Sequence, residues 1–200
     1  PYGEHSPYTS PYYVREGVLQ ALLQAQSQLQ HTHPGWRIQI FDAYRPIAVQ
    51  QFMVEHTYRQ LLQTWQREHP HNPVPKTELL AQVYQFWAAP SHDLTTPPPH
   101  STGAAIDITL VDAQQQVVDM GSAIDEISER SYPEHFATQP NGERFHRHRT
   151  LLLQTMEKAG FRQHPHEWWH FSLGDQLWVW LGCHKTATNF AGFAYYGRAE

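Results

Sequence analysis

The stretch HSTGAAIDITL, residues 100–110, carries both a strand and two groups able to bind a metal. Residues 105–111 read as a β-strand, with Ile106, Ile108 and Leu110 as its apolar side chains. Gly103 permits a sharp turn before it, and the small Ala104 and Ala105 allow close packing as the chain enters the strand. Asp107 sits among Ala105, Ile106, Ile108 and Leu110, a setting in which an ionised carboxylate must find a partner. A metal shared with His100 is one such partner. An arginine paired with Asp107, with His100 hydrogen-bonded at the strand entry, is the other, and this stretch alone does not choose.

Upstream, Val18, Leu19, Leu22, Leu23 and Leu29 recur at helical spacing over 15–30, and His33-Pro34-Gly35 ends that helix. Trp36, Ile38 and Ile40 alternate with Arg37, Gln39 and Phe41, the pattern of a half-buried strand. Pro46 stops this strand and suits the first turn of a second helix, which Phe52, Met53, Leu61, Leu62 and Trp65 support. Residues 69–75 read as a linker, Thr77 as the cap of a helix running to Trp87, and 90–99 as a Pro-rich loop leading into His100.

Downstream, 116–119 is the expected hairpin partner of the strand, and 141–158 is helical with Gly160 as terminator. The aromatic-rich 167–173 and 176–181 read as strands. Helices first, then strands with a late helix, predict an α+β fold: a central antiparallel sheet flanked by helices. At 200 residues the chain predicts one domain, with an extended segment over 1–13 and a tail over 183–200.

A second chemical motif is EWWHF, residues 167–171. Positions three apart on an ideal strand face opposite sides, so Glu167 and His170 can share a site only across a turn, bulge or strong twist. The competing reading is a core aromatic run with incidental polar residues. Taken together, His100, Asp107 and His170 supply three ligands for one Zn2+, and Glu167 supplies a carboxylate that is not a ligand. That inventory suits metal-assisted amide hydrolysis, with Glu167 as base. The flanking aromatics, Trp168 among them, would form a wall that excludes water. In FDAYRP, residues 41–46, Arg45 stands at a strand end where it could stabilise an oxyanion, or simply pair with Asp42.

Composition narrows the function classes. Hydrophobic residues are 40% and aromatics 13%, which excludes a disordered chain. A net charge of −5 does not favour nucleic acid, and the one basic cluster, Arg144, Arg147 and Arg149, reads as a solvated helix face. The single Cys183 cannot form an internal disulfide. No apolar stretch approaches the roughly 18 to 20 residues of a membrane span. Most of the fifteen His are expected at the surface, and His164 and His166, close to Glu167 in sequence, have no assigned role.

These motifs resemble the D-alanyl-D-alanine dipeptidase family, which is related to the zinc D,D-carboxypeptidases and the Hedgehog signalling domain. The resemblance covers roughly positions 12 to 173. It rests on FDAYRP, on GAAIDITL (103–110), on Met120-Gly121-Ser122 with Asp125, on Ser128-Glu129-Arg130-Ser131 and on EWWHF, all in the family's order. It implies a Hedgehog/D,D-peptidase-like fold and a zinc enzyme that splits D-Ala-D-Ala. His100, Asp107 and His170 match the zinc ligands, Glu167 the base, Arg45 the group that stabilises the transition state, and Asp125 an acid that holds the substrate's amino terminus. Pro97, Pro98 and Pro99 stand where the family often has small hydroxyl residues, so a serine contact to substrate made there would be lost or would pass to Ser101. The 133–142 loop does not match the family pattern. Two alternatives accompany this expectation: a D,D-carboxypeptidase or other peptidoglycan peptidase with the same zinc site, and a non-catalytic zinc-stabilised binding module. A small dipeptide is the implied partner, a bacterial cytoplasm or periplasm the implied compartment, and oligomeric state is not legible.

Overall fold

The computed structural model describes residues 10–185 and 192–199, so the expected segment over 1–13 and tail over 183–200 lie partly outside the described residues. The first helix, α1 (Glu16–Thr32), turns Val18, Leu22, Ala25 and Leu29 inward. These four positions follow the 3.6-residue period and form a single apolar stripe. Strand β1 (Arg37–Asp42) follows, then α2 (Ile47–Glu68) and α3 (Lys76–Phe86). Pro46 and Pro75 occupy the cap positions of these two helices, and neither receives a side-chain cap. Thr77 therefore lies inside the first turn of α3 and does not cap it, a correction to the expectation.

Strand β2 (Ala105–Val111) is buried along nearly its whole length, as its apolar run predicts. The remaining elements are α4 (Glu143–Lys158), the short β3 (Arg162–Gln163), β4 (His170–Ser172) and α5 (Gln176–Lys185). The four strands form one sheet in the order β1-β2-β4-β3, with every neighbour antiparallel. The result is the expected α+β architecture.

One face of the sheet carries Ile106, Ile108 and Leu110. They form one core with Val18, Leu22, Ala25 and Leu29 of α1 and with Leu152 and Met156 of α4. A separate cluster of Val49, Met53, Val54, Val83 and Trp87 joins α2 to α3. The opposite face of β2 carries Asp107, and the site is built there.

Three expected strands differ, and of 167–173 only His170–Ser172 is strand. Residues 116–119 give only a single bridge, Val111 to Val117, because Asp112 turns the chain through hydrogen bonds from the Gln114 and Gln116 amides, each at 2.9 Å. Residues 176–181 are helical. Asp175 accepts from the Trp178 amide at 2.7 Å, an N-cap that starts α5 despite its β-prone aromatics. No helix among the described residues is long and apolar enough to cross a membrane.

The basic cluster on α4 is not wholly solvated. Arg149 is buried, stacks on Trp168 and Phe136, and donates to the carbonyls of Met120, Tyr132 and Arg130 and to Ser122 Oγ, each at 2.8–3.0 Å. It thereby gathers the irregular 120–132 segment that carries Asp125. Arg149→Met should leave several acceptors without donors and cost about 3 kcal/mol in urea denaturation, whereas the exposed Arg147→Met should cost less than ~0.5 kcal/mol.

Candidate metal centre

Antiparallel pairing sets the first two groups side by side. Asp107 faces His170 across β2 and β4, and Asp42 faces Asp107 across β1 and β2. Directly opposed residues share a face, so Asp42, Asp107 and His170 line up across three neighbouring strands. A register shift between Ile40 and Asp42 allows Asp42 to join the row.

His100 arrives from a 3-10 turn at Pro99–Thr102, closed by Gly103 at φ 70°, a left-handed conformation natural to glycine. The His100 carbonyl accepts from the amides of Arg45 at 3.2 Å and Gly103 at 3.1 Å, which fixes the turn. Its Nδ1 lies 2.6 Å from the Ala43 carbonyl. A carbonyl can only accept, so Nδ1 keeps its proton and Nε2 faces the centre, the usual orientation of a metal-ligating imidazole.

His100 Nε2 lies 3.1 Å from His170 Nδ1 and 3.3 Å from Asp107 Oδ2, and His170 Nδ1 lies 3.1 Å from Asp107 Oδ1. Zinc bonds of about 2.0–2.1 Å in a tetrahedron place neighbouring donor atoms about 3.3 Å apart. The spacing and the N, N, O donor set therefore fit one small divalent ion. Among the described residues this is the group of His, Cys, Asp and Glu able to hold a metal, and all three members are buried.

The protonation pattern fits the same purpose. Burial pushes the Asp107 carboxyl upward, but His100 and His170 outweigh it and hold Asp107 well below its ordinary value. Burial lowers His100, and the Asp107 charge outweighs that and draws a proton onto the imidazole. A metal entering here replaces that proton.

Glu167 lies in the turn before β4, so the change of direction predicted for EWWHF is present. Its Oε2 is 3.6 Å from His170 Nδ1 and 3.9 Å from His164 Nδ1, adjacent to the ligand group yet outside it. Burial first, then the charges of Asp107 and Asp125, raise its pKa well above the usual carboxylate value. Asp125, at φ 63°, is pushed up to about 7, by burial and then by Asp107.

Arg45 makes the salt bridge that the sequence offered as the plainer reading: Nε and Nη2 reach Asp42 Oδ2 at 3.0 and 2.6 Å. It also donates from Nη1 to Gln50 at 2.9 Å, stacks over Trp87 and approaches Asp107 Oδ2 at 3.5 Å. A cavity of about 170 Å³ opens beside the centre, bounded by Arg45, Asp125, Glu167, Trp169 and Trp87.

Two expected site residues are not brought to this cavity. Ser101 is buried, with its hydroxyl donating to the Arg45 carbonyl at 2.8 Å. Trp168 turns away to donate to Ser122 Oγ at 3.0 Å and stack on Arg149, while its neighbour Trp169 lines the cavity. The two rings are nearly perpendicular, with centroids 5.5 Å apart, so only one of the neighbouring tryptophans serves as wall. Sequence reasoning also missed His164, which lines the cavity and is held down to about 3 by burial and then by His170. Its short separation from Glu167 was the available signal. His5 lies outside the described residues.

A buried His-Asp-His group, with an acid beside it and a small cavity in front, is an arrangement suited to metal-assisted hydrolysis. The comparisons agree. The family described as D-ala-D-ala dipeptidase matches residues 4–192, and the chain belongs to that family. A D-alanyl-D-alanine dipeptidase of Synechocystis sp. is 50% identical, over 96% of this chain and 81% of its own length. One from Escherichia coli is 32% identical, over 70% of this chain and 56% of its own length. One from Enterococcus faecalis is 28% identical, over 78% and 71%. A solved vancomycin-resistance D,D-pentapeptidase, VanY, in complex with Zn(II), is similar at a TM-score of 0.48 and 14% identity, covering 80% of this chain and 71% of that one.

Asp125 gives a test of the electrostatics. Its folded-state pKa is raised, so its contribution to stability is full at acid pH and is lost as pH climbs through about 7. In the presence of chelator, Asp125→Asn should gain thermal stability relative to the parent between pH 5 and pH 8, as read by Tm.

Proposed function

We propose that the chain is a zinc peptidase that hydrolyses the dipeptide D-Ala-D-Ala to two D-alanines. The observation that carries this is the placement of Glu167, buried beside the three candidate ligands without joining them. A closed structural site has no use for such an acid. The matching family and the names of the relatives supply the substrate.

His100, Asp107 and His170 would hold the ion. A Zn2+ ion held there would supply Lewis acidity toward the scissile carbonyl and toward water. Glu167 takes a proton from the attacking water and returns it to the leaving amine, a role that its raised pKa suits. Arg45, anchored by Asp42 and Gln50, keeps a positive charge on the cavity wall to stabilise the developing oxyanion.

Asp125 lies where it can receive the substrate's ammonium, and that cation favours its ionised form. A longer peptide acylated at this nitrogen brings no charge to offset the buried carboxylate. The volume points the same way, because about 170 Å³ is small beside the roughly 300–1,000 Å³ of drug-sized sites.

D-alanine release from D-Ala-D-Ala should be zinc-dependent and abolished by chelator, with N-acetyl-D-Ala-D-Ala turned over far more slowly. Glu167→Ala should lower kcat by about 10²- to 10⁴-fold while bound zinc, measured by elemental analysis, stays at one per chain. Near-normal turnover in that variant would remove Glu167 from the mechanism.

A further inference from the structure

The chain segment 193–199 lies beyond the residues matched by the family, yet it returns to the back of the candidate metal centre. The amides of Tyr195 and Tyr196 both donate to the Gly174 carbonyl, at 2.7 and 3.1 Å, in the turn that follows His170 and β4. The Ala199 amide donates to the Ser101 carbonyl at 2.9 Å, one residue beyond His100. A single segment thus contacts the backbone just past each of the two candidate histidine ligands.

Arg15 completes the clasp from the start of α1. Its Nη2 donates to the Gly197 carbonyl at 3.0 Å, and its guanidinium lies over the Tyr196 ring. Its Nε donates to the Thr102 carbonyl at 2.7 Å and its amide to the Gly103 carbonyl at 2.9 Å. Three successive carbonyls after His100 are therefore held: Ser101 by Ala199, Thr102 and Gly103 by Arg15. The two glycines at the contact leave room for the rings. A Cβ on Gly174 would meet Tyr195 at 2.9 Å, and one on Gly17 would collide with the Tyr196 hydroxyl.

We infer that residues 195–199 are a positioning strap that sets the turn carrying His100 against the strand carrying His170. The inference rests on the metal-peptidase reading for its consequence and on backbone hydrogen bonds for its structure. Residues 195–199 do not line the cavity, so the strap acts through His100 and not on substrate.

Ala199 is exposed, and Ala199→Pro removes the donating N–H without removing a packed side chain. The full-length variant should bind zinc about 3- to 10-fold more weakly in chelator competition, the loss expected for one hydrogen bond. It should lower kcat at subsaturating zinc with KM unchanged. In the metal-free protein the Arg45 and Gly103 amides, which donate to the His100 carbonyl, should exchange hydrogen faster. Ala199→Gly, which keeps the amide, should restore all three readouts. A chain ending at residue 194 should show the larger loss, and if it does not fold, Ala199→Pro decides alone. Parental zinc affinity and parental exchange at Arg45 and Gly103 in Ala199→Pro would overturn the strap, as would a lowered Tm with those two readouts unmoved. A parent chain that neither binds zinc nor releases D-alanine would instead overturn the proposed function, and exchange at the two amides would still judge the strap.

Discussion

A carboxylate on a strand buried along both faces is the constraint from which the rest of the structure follows. Asp107 is 2% exposed, so its charge must be balanced by the protein rather than by water. Two imidazoles approach it, one from the neighbouring strand and one from the 3-10 turn, and Arg45 approaches it from β1's end. Arg45 is in turn bound more tightly to Asp42, which takes up most of its charge. In the metal-free chain a proton drawn onto His100 offsets the charge that Arg45 leaves uncovered. A small divalent cation can take that proton's place, and the donor atoms converge at the spacing one needs.

The three acids at the cavity are chemically alike but differ in environment, and that difference assigns them. Asp107 is held ionised by the histidines that touch it, the state in which a carboxylate can bind a metal. Glu167 and Asp125 have burial and like charges around them, so each binds a proton more readily than a free carboxyl. An acid that gains and loses a proton readily suits proton transfer, and one that a nearby cation would ionise suits binding that cation. Groups whose environments separate their pKa values in this way are how one cavity performs acid and base chemistry together.

Much of this was legible in the residue order, and the exceptions have physical causes. Alternation in 36–41 and the apolar run of 105–111 gave two strands, because burial on one face or both leaves a direct imprint on the pattern. The turn before His170 was legible from geometry alone, since Glu167 and His170 could not otherwise meet. Residues 176–181 misled because the aromatics there favour strands, while the helix is started by Asp175, whose capping role depends on a single side-chain contact. Arg149 looked solvated because its neighbours on the helix are; only the fold shows three carbonyls waiting inside. Trp168 and Trp169 could not be told apart without the fold, and Ser101 gave no sign that its hydroxyl was already committed to the Arg45 carbonyl.

The cavity's location follows from the way the core is divided. Helices α1 and α4 pack on the apolar face of the sheet, while α2 and α3 form their own cluster with Val49, Met53, Val83 and Trp87. Polar and stacked contacts join β1's end to this cluster: Arg45 over Trp87 and Arg45 to Gln50, which itself donates to the Ala88 carbonyl at 2.6 Å. A seam of this kind accommodates charge, because its hydrogen bonds satisfy groups that either apolar cluster would exclude. It also gives the pocket two separately packed walls. The metal-binding wall is set by strand register, and the opposing wall by the end of α3, so the chemistry and the size of the accepted ligand are determined by different parts of the sequence.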